Sequence, residues 1–351
     1  MDFKNLRKLE LAGLLILVLS VSCSKDPFPG IREFEEGKGV FILNEGNFTF
    51  GNASLSFYDP LAAIVQNDIF YDANGFPVGD ALQSMTILDS TGFLCVSNSG
   101  KVLVFDVNTF RHLHTISDLG APRYFIPINP EKAYISDLWN NYLSIYNLEK
   151  KQVTGTVSLG NSSEMMILAG GFLFVNSWSY NNKILVVNPE TDSLVDSIEV
   201  GKQPNSMVLD RDGKLWVLSD GGYPGSPYGQ QVASLAKINP GSMEIEHTYW
   251  FDELVYSPTY LQVNPAGDTL YFINEGLFRM CILDNVIPGK VFIEENGKNF
   301  YSCGIDPLSG DIYISDAGNF LSKGYVYRYN SSGILVDTFA VGLIPGGFCF
   351  K

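Results

Sequence analysis

Short apolar runs that end in a polar residue recur along most of the chain. Each run consists of three apolar or small residues followed by Asn, Asp, Ser or Glu. The seven copies end at Asn44, Asn98, Asp137, Ser177, Asp220, Glu275 and Asp316. Successive copies lie 54, 39, 40, 43, 55 and 41 residues apart. Strand-like content at so regular a spacing predicts one four-stranded unit repeated seven times, which is typical of a β-propeller.

A second apolar run follows each of these and also stops at Asp or Asn. Its residues are β-branched, aromatic or Leu-rich, as expected for strands, and the terminal side chain can accept hydrogen bonds from the following turn. These runs end at Asp59, Asp106, Asn147, Asn188, Asn239, Asp284 and Asn330. Because this residue type recurs in every unit, we interpret these side chains as turn caps rather than as catalytic groups.

A third set of runs predicts the innermost strand of each unit. Six cover residues 84–88, 124–128, 164–168, 205–209, 259–263 and 302–306, and the seventh is the C-terminal run 347–350. Residues 40–70 hold three predicted outer strands with no inner strand before them. We therefore predict that the C-terminal strand joins the N-terminal blade and leaves no open sheet edge. The predicted fold class is all-β, a seven-bladed propeller of four-stranded antiparallel blades.

The N-terminus is typical of a secretion signal rather than of a folded element. Lys4, Arg7 and Lys8 precede an apolar run over residues 11–19, which is too short to span a bilayer. Small residues then lead to Cys23, as in a bacterial lipobox, although Ser20 stands where Leu is usual. An ordinary signal peptide with an incidental cysteine is the alternative. The sequence thus predicts a signal peptide over residues 1–22, a lipidated Cys23 with a tether over residues 23–38, and a propeller over residues 39–351.

The charge of the chain argues against a nucleic-acid partner. The whole chain has a formal charge of −15, and residues 1–22 hold three basic and two acidic residues, so the mature chain carries −15 − (+1) = −16. Such a surface repels phosphate backbones. We predict no nucleic-acid binding, and contact with a membrane only through the lipid anchor.

The remaining cysteines and the known catalytic patterns give little sign of chemistry. Four cysteines lie inside predicted strands, where a free cysteine behaves as a small buried hydrophobe. Cys303 and Cys349 lie on inner strands of adjacent blades, which leaves a disulfide between them open. The chain has no GxSxG, P-loop, HExxH or EF-hand pattern, and no zinc-type cysteine spacing. We expect no catalytic residue, no metal and no cofactor.

Candidate binding residues lie in the loops that depart from the repeat. Loops between the second and third strands of each blade, and loops between blades, should meet on one face around the central axis. Many contain aromatic rings and amides with little charge, which suits a large neutral, amphipathic ligand. The candidate ligand-binding residues are Phe48, Phe50, Gln83, Arg123, Tyr124, Trp139, Asn140, Trp178, Tyr180, Asn181, Asn205, Tyr223, Tyr228, Tyr260, Tyr301 and Phe320. The longest insertion, GGYPGSPYGQQ after Asp220, is a candidate flap; the alternative is that these rings pack only against neighbouring loops.

The repeats resemble a known group of propellers. CVSN, YISD and FVNS, followed by VLVFD, LSIYN and ILVVN, are similar to the YVTN-type repeats of YncE-like, surface-layer-type propellers over residues 39–351. With the lipobox, the tether and the opening GVFILNEGNFTFGNASLSFYDP, the chain resembles the propeller lipoproteins of Bacteroidota, among them the vitamin B12-capturing BtuG family. The resemblance implies an outer-membrane lipoprotein at the cell surface that captures cobalamin or another corrinoid and passes it to a TonB-dependent transporter. Cobalamin would then be a ligand and not a cofactor.

Two other functions stay open at this point. A glycan-binding or other transporter-associated propeller would use the same aromatic rings as platforms for a different ligand. A propeller enzyme, such as a lyase, a lactonase or a quinoprotein, would need a metal or a cluster of acid and base groups at the central mouth. The sequence favours a binding protein over an enzyme.

Overall fold

Seven small antiparallel sheets follow one another in the computed structural model, which describes residues 38–351. The predicted signal peptide, Cys23 and the tether up to residue 37 lie outside the described residues. The first fifteen strands are β1 (Val40–Asn44), β2 (Ser54–Asp59), β3 (Ile64–Gln66), β4 (Leu82–Leu88), β5 (Thr91–Val96), β6 (Lys101–Asp106), β7 (His112–Ile116), β8 (Pro122–Pro127), β9 (Lys132–Asp137), β10 (Tyr142–Asn147), β11 (Gln152–Ser158), β12 (Met166–Ala169), β13 (Phe172–Ser177), β14 (Lys183–Asn188) and β15 (Ser193–Glu199).

The second half of the chain continues the same alternation of short strands and turns. Its strands are β16 (Pro204–Leu209), β17 (Leu215–Ser219), β18 (Ser234–Asn239), β19 (Glu244–Trp250), β20 (Thr259–Val263), β21 (Thr269–Ile273), β22 (Leu277–Cys281), β23 (Phe300–Ile305), β24 (Ile312–Asp316), β25 (Lys323–Tyr329), β26 (Leu335–Leu343) and β27 (Pro345–Phe350). Blades 1 to 6 consist of β4–β7, β8–β11, β12–β15, β16–β19, β20–β22 and β23–β26.

The seventh sheet, the closing blade, combines both ends of the propeller. Its strand order is β27-β1-β2-β3, and β27 runs antiparallel to β1 with Val40 opposite Phe350 and Leu43 opposite Gly347. The prediction that the C-terminal strand completes the N-terminal blade is confirmed. The all-β, seven-bladed fold class is confirmed with it.

Two segments differ in detail from the expected blades. Blade 5 has three strands, because residues 282–299 form no fourth strand and contribute only an isolated bridge between Leu277 and Ile293. That segment includes Pro288, which has no N–H to donate to a ladder. The third strand of blade 5, β22, ends at Cys281 and not at the predicted Asp284. In the closing blade the outermost strand, β3, ends at Gln66, and a short helix α1 (Ile69–Asn74) follows. Within residues 38–351 no helix is long and apolar enough to cross a bilayer.

Aromatic and branched aliphatic side chains between neighbouring sheets form the core. The middle strands are buried on both faces, as in β1, where all five residues are buried. On one side of the closing blade, Phe41 contacts Phe57 and Phe105 edge to face, with ring centroids 4.8 and 6.0 Å apart. On the other side, Tyr58 stacks on Phe339 of blade 6 at 4.1 Å. The closing blade therefore packs against both of its neighbours and holds the ring together.

The polar residues at strand ends act as turn caps, as predicted. Asp106 Oδ1 accepts hydrogen bonds from the backbone N–H groups of Asn108 and Thr109 at 2.9 and 2.8 Å. Asn147 Oδ1 accepts one from Lys150 N–H at 2.7 Å in the next blade. Each such bond satisfies a turn donor that the sheet ladder cannot reach.

The four cysteines among the described residues are free thiols. Cys303 and Cys349 are therefore not joined, and the Cys303 thiol instead donates to the carbonyl oxygen of Tyr260 at 3.3 Å. Burial raises the pKa of the Cys349 thiol to about 12. The prediction of buried cysteines is confirmed for Cys95 and Cys303, whereas Cys281 and Cys349 are partly exposed.

Ring closure gives a first prediction. Ending the chain at Ile344 removes β27, which opens the edge of β1 and deletes Phe348 and Phe350 from the packing against Tyr313. We expect the free energy of unfolding to fall by roughly 3–5 kcal/mol or more, as for loss of a large core side chain, and the protein to self-associate through the open edge. Urea unfolding and light scattering measure both effects.

The control for this truncation removes only Lys351, which keeps every residue pair between β1 and β27 and loses the bond from Lys351 N–H to the carbonyl oxygen of Gly39. A chain ending at Ile344 that unfolds at the same urea concentration as the control and stays monomeric would contradict the closure of the ring by β27.

Candidate functional site

Irregular pairing at the start of the inner strands sets up the site. In six of the seven innermost strands the register shifts within the first few residues, as between Leu82 and Ser84 in β4 and between Pro204 and Ser206 in β16. A β-bulge turns the extra side chain out of the ordinary sheet alternation. The six inner strands thereby direct a residue toward the central axis at the same end of the ring.

One side chain from each blade lies at this end, and together they form what we call the mouth ring. Its members are Gln83, Arg123, Glu164, Asn205, Tyr260, Tyr301 and Glu45. The first six occupy the same position in successive repeats, at spacings of 40, 41, 41, 55 and 41 residues. They lie at the end where the loops between blades meet the loops between second and third strands, which we call the mouth face.

Glu45 belongs to the mouth ring for a different reason. The repeat position of the closing blade is occupied by Gly346, whose Cα faces the Glu45 side chain so closely that a Cβ would lie 1.9 Å from Glu45 Oε1. Tyr301 Oη donates to Glu45 Oε2 at 3.1 Å, and Tyr260 Oη donates to the carbonyl oxygen of Gly346 at 3.1 Å. The missing side chain at Gly346 is thus replaced by a carboxylate from the loop after β1.

A central channel opens behind the mouth ring. Its cavity volume is about 640 Å³, and Gln83, Arg123, Glu164, Asn205 and Tyr260 are among the residues that line it. Toward the opposite end of the inner strands the lining becomes apolar. Met85, Ile305, Pro307, Phe348 and Phe350 lie there. The channel therefore offers polar groups at the mouth and an apolar interior.

A side groove adjoins the channel on the mouth face. One part, about 280 Å³, is lined by Trp178, Tyr180, Asp220 and Tyr223, and a second part, about 170 Å³, lies between Tyr180 and Tyr228. Trp178 and Asp220 also line the channel, so the two spaces are adjacent.

The insertion after Asp220 builds the wall of this groove. Gln231 N–H bonds the carbonyl oxygen of Gly221 at 2.9 Å, and Lys202 Nζ bonds the carbonyl oxygen of Tyr228 at 2.5 Å. The Tyr228 ring stacks on Tyr180 at 4.7 Å. Residues 223–232 are absent from the channel lining, so the predicted flap lies beside the mouth rather than across it.

An ion pair and a raised carboxyl pKa dominate the electrostatics of the mouth ring. Arg123 Nε donates to Glu164 Oε2 at 2.6 Å, with the two side chains 18% and 6% exposed. Burial raises the pKa of Glu164 against the opposing effect of Arg123. Burial likewise raises the pKa of Glu45 to about 7, although the hydrogen bond from Tyr301 and the charge of Arg123 oppose this.

Asp220 joins the mouth ring to the side groove. Its Oδ2 accepts from Trp178 Nε1 at 3.1 Å, and its Oδ1 accepts from Gly222 N–H at 2.8 Å. Burial raises the pKa of Asp220, while these hydrogen bonds lower it. Trp178 is therefore held in place by a hydrogen bond instead of projecting freely.

The structure brings some predicted residues together and leaves others at the rim. Channel lining residues are Gln83, Arg123, Tyr124, Trp178, Asn205 and Tyr260, and groove lining residues are Trp178, Tyr180, Asn181, Tyr223 and Tyr228. Tyr301 belongs to the mouth ring and donates to Glu45 but lines neither space, and Phe320 packs edge to face on Tyr301 at 5.6 Å. Phe48, Phe50, Trp139 and Asn140 line neither space and stand on the loops around the mouth.

Sequence reasoning missed three acidic residues of the site. Glu164 could have been found from its spacing of 41 residues to both Arg123 and Asn205, but it was counted only as the start of a strand. Asp220 was treated as a strand end. No repeat marks Glu45, because it fills a space that Gly346 leaves.

Acid and base groups do converge at the mouth, which is the condition that a propeller enzyme would have to meet. Among residues 38–351, no three His, Cys, Asp or Glu side chains form a group suited to hold a metal ion. The arrangement can donate and accept hydrogen bonds, exchange a proton at Glu45 near neutral pH, and stack rings against a flat ligand.

Comparison with protein families places the chain in one of them. Residues 38–348 match the model of the domain of unknown function DUF5074, so the chain belongs to this family. A curated relative, Antigen Lp49 of Leptospira interrogans serogroup Icterohaemorrhagiae, is 24% identical over 140 residues. That match covers 35% of this chain and 31% of the relative, so the chain aligns with about a third of that protein.

Solved structures agree on the fold. A quinoprotein alcohol dehydrogenase-like protein from Bacteroides thetaiotaomicron has a TM-score of 0.70 at 14% identity, covering 90% of this chain and 79% of its own. A putative 6-phosphogluconolactonase from Bacteroides uniformis has a TM-score of 0.63 at 14% identity, covering 90% and 99%. The Pseudomonas aeruginosa periplasmic gluconolactonase has a TM-score of 0.64 at 12% identity, covering 89% and 99%. Likeness at this level of identity establishes the propeller and nothing finer.

Glu45 gives a prediction about pH. A folded-state pKa of about 7, above the ordinary 4.5, means that the native protein binds this proton more tightly than the unfolded chain. The contribution of this bound proton to the free energy of unfolding is fully present below pH 4.5 and is lost as the pH rises through 7. Its size is on the order of 3 kcal/mol. The variant Glu45→Gln should therefore gain stability relative to wild type between pH 5 and pH 8, as measured by urea unfolding.

The matched control is Glu149→Gln, which changes an exposed carboxylate on another face. If the free energy of unfolding varies with pH in the same way for wild type, Glu45→Gln and Glu149→Gln, the pKa of Glu45 is not raised on folding. That result would contradict the burial of Glu45 in the mouth ring.

Proposed function

We propose that this DUF5074 propeller is a ligand-capture protein whose mouth face binds a large, neutral, amide-rich ligand, and that the ligand is a corrinoid such as cobalamin. Capture would take place over the mouth ring, with the side groove as a second area of contact. The proposal continues the resemblance to the vitamin B12-capturing propellers. It includes delivery of the ligand to a TonB-dependent outer-membrane transporter, and anchoring of the protein in the outer membrane through Cys23.

The observation that carries the proposal is the exposure of aromatic rings around the mouth. Phe50, Trp139 and Tyr228 are 76%, 63% and 60% exposed, although Tyr228 also stacks on Tyr180 of a neighbouring loop. Exposure on this scale supports a role for these rings beyond the packing of one loop against another. Phe48, Tyr180, Tyr223 and Phe320 are also exposed on the same face. Rings gathered in one area and left in water are typical of a surface that another molecule covers.

The polar chemistry at the centre fits a neutral ligand better than a charged one. Arg123 and Glu164 neutralise each other, and the amides of Gln83 and Asn205 add uncharged hydrogen-bonding groups. A corrinoid carries many side-chain amides around a broad, partly apolar ring, so it could use both kinds of contact. The closed ring of blades supports tight capture, because a preformed site loses little conformational entropy on binding.

If the exposed aromatic side chains contact the ligand, removing one of them should weaken binding. Cyanocobalamin titrated calorimetrically into residues 31–351 should bind, and Trp139→Ala should weaken the affinity by about 2 kcal/mol, or roughly thirtyfold, as for an aromatic hot spot. The matched control is Leu308→Ala, since Leu308 is 78% exposed but lies in the turn between β23 and β24, at the opposite end of the ring. That variant should bind like wild type.

Absence of heat and of any thermal shift at high cyanocobalamin concentration would rule out corrinoid capture. Equal losses in Trp139→Ala and Leu308→Ala would contradict a site on the mouth face. A glycan that binds in place of cobalamin, with the same sensitivity to Trp139→Ala, would keep the capture role and change the ligand.

A second candidate function is acid–base catalysis in the channel. The specific observation in its favour is Glu45, a partly buried carboxyl whose pKa is raised to about 7, next to Tyr301 and close enough to feel the charge of Arg123. Groups poised near neutral pH are frequent in active sites. Two proteins with a similar fold are described as lactonases, which makes a lactone the first substrate to try.

The capture proposal predicts no catalysis of this kind. Glucono-1,5-lactone mixed with the protein at pH 7 should hydrolyse at the buffer rate, as followed with a pH indicator. Hydrolysis above that rate, abolished in Glu45→Gln but retained in Glu149→Gln, would replace capture by an enzymatic function.

A further inference from the structure

Glu164 has one carboxylate oxygen without a partner. The residue is 5% exposed, its Oε2 is bound by Arg123 Nε at 2.6 Å, and its Oε1 is buried and accepts no hydrogen bond from the described residues. A buried acceptor of this kind is unfavourable unless something donates to it. Since Glu164 lines the central channel, a group entering from the mouth face can reach it.

Arg123 presents the complementary donors. Among residues 38–351 its guanidinium bonds only Glu164, and only through Nε, so neither terminal nitrogen has a protein acceptor. Arg123 also lines the channel, and the hydroxyl of Ser84 donates to its carbonyl oxygen at 2.5 Å, which fixes the backbone at this point. Side by side at the mouth there are thus free N–H donors on Arg123 and a free acceptor on Glu164.

We propose that Arg123 and Glu164 form a subsite for a primary carboxamide. The carbonyl oxygen of the amide would accept from the terminal nitrogens of Arg123, and its NH2 group would donate to Glu164 Oε1. A primary carboxamide supplies both partners on adjacent atoms and adds no charge, so the ion pair stays balanced.

Charged ligand groups fit this subsite less well. A carboxylate would satisfy Arg123 but would place a negative charge against Glu164 Oε1, with Asp220 also lining the channel. An ammonium group would satisfy Glu164 and leave the donors of Arg123 facing a positive charge. In a buried setting such mismatches cost more than they do in water.

This inference rests on the proposed function, because it names the groups of the captured ligand that the mouth ring binds. An amide-rich ligand would insert one side-chain amide between Arg123 and Glu164 while its ring lies on the aromatic rim. The two ideas are nevertheless separable, since a small amide can test the subsite without any corrinoid.

The probes are nicotinamide, nicotinate and 3-pyridinemethanol, which share a ring and differ in the group offered to the subsite. Binding is followed by NMR through the Arg123 Nε–H and Trp178 indole signals at pH 7.5. In the wild-type protein we expect nicotinamide to bind at least about tenfold more tightly than either other probe.

Glu164→Gln provides the sharpest variant. Its carbonyl oxygen must turn toward Arg123 Nε, so the atom facing the channel changes from an acceptor to an NH2 donor. The preference should therefore reverse, with nicotinate bound more tightly than nicotinamide. Glu149→Gln, which removes an exposed carboxylate elsewhere, should leave the wild-type order unchanged.

Other outcomes would overturn the subsite. These are equal affinities in the wild-type protein, equal binding of 3-pyridinemethanol, no binding of any probe at high millimolar concentration, or an unchanged order in Glu164→Gln. If Glu164→Gln does not fold, Arg123→Lys is measured instead; it keeps the charge but loses the planar fork, so the tenfold preference for nicotinamide should disappear. Retention of that preference would also overturn the subsite.

Titration of cyanocobalamin into the same samples separates the two proposals. Cobalamin binding without a nicotinamide preference removes the carboxamide subsite and leaves capture in place. A nicotinamide preference without cobalamin binding keeps the subsite and removes corrinoid capture.

Discussion

The pairing of β27 with β1 is the constraint on which the rest of the molecule depends. Each blade buries both faces against its neighbours, so the row of blades must close into a ring or leave one sheet uncovered. The two chain ends meet in the closing blade, where Val40 lies opposite Phe350, and Tyr58 and Phe41 pack against the blades on either side. Closure fixes the distances between the inner strands. It thereby fixes the width of the channel and the positions of the mouth ring.

The mouth ring places a different side chain at the same repeat position in most of the blades. A bulge at one repeat position directs a side chain to the axis in most blades, and the identity of that side chain differs from blade to blade. In the closing blade this position is Gly346, and its lack of a side chain leaves space for Glu45 from a neighbouring loop. Burial of Glu45 and of the pair Arg123–Glu164 is costly, and such groups are stabilised only where their partners are held rigidly. Binding or chemistry at the mouth would make use of that rigidity.

Much of this could be read from the sequence because the fold is repetitive. Strand positions, turn caps and closure by the C-terminal run all follow from the spacing of apolar runs and of their terminal Asp and Asn. The same spacing identifies the repeat position occupied by Gln83, Arg123 and Asn205, and it would have identified Glu164. Glu45 could not be found in this way, because its place is set by a contact with Gly346 rather than by a repeat. Blade 5 departs from the pattern for a similar reason, since residues 282–299 contain apolar residues but form no continuous ladder.

The central claim is that a ligand lies across the mouth face, over Arg123 and Glu164 and under the exposed rings. A structure of the protein determined with cyanocobalamin present tests it most directly. We expect density for the corrin ring against the aromatic rim, with one side-chain amide between Arg123 and Glu164. Density on the opposite face of the ring, or a mouth that stays empty at saturating ligand, would contradict it.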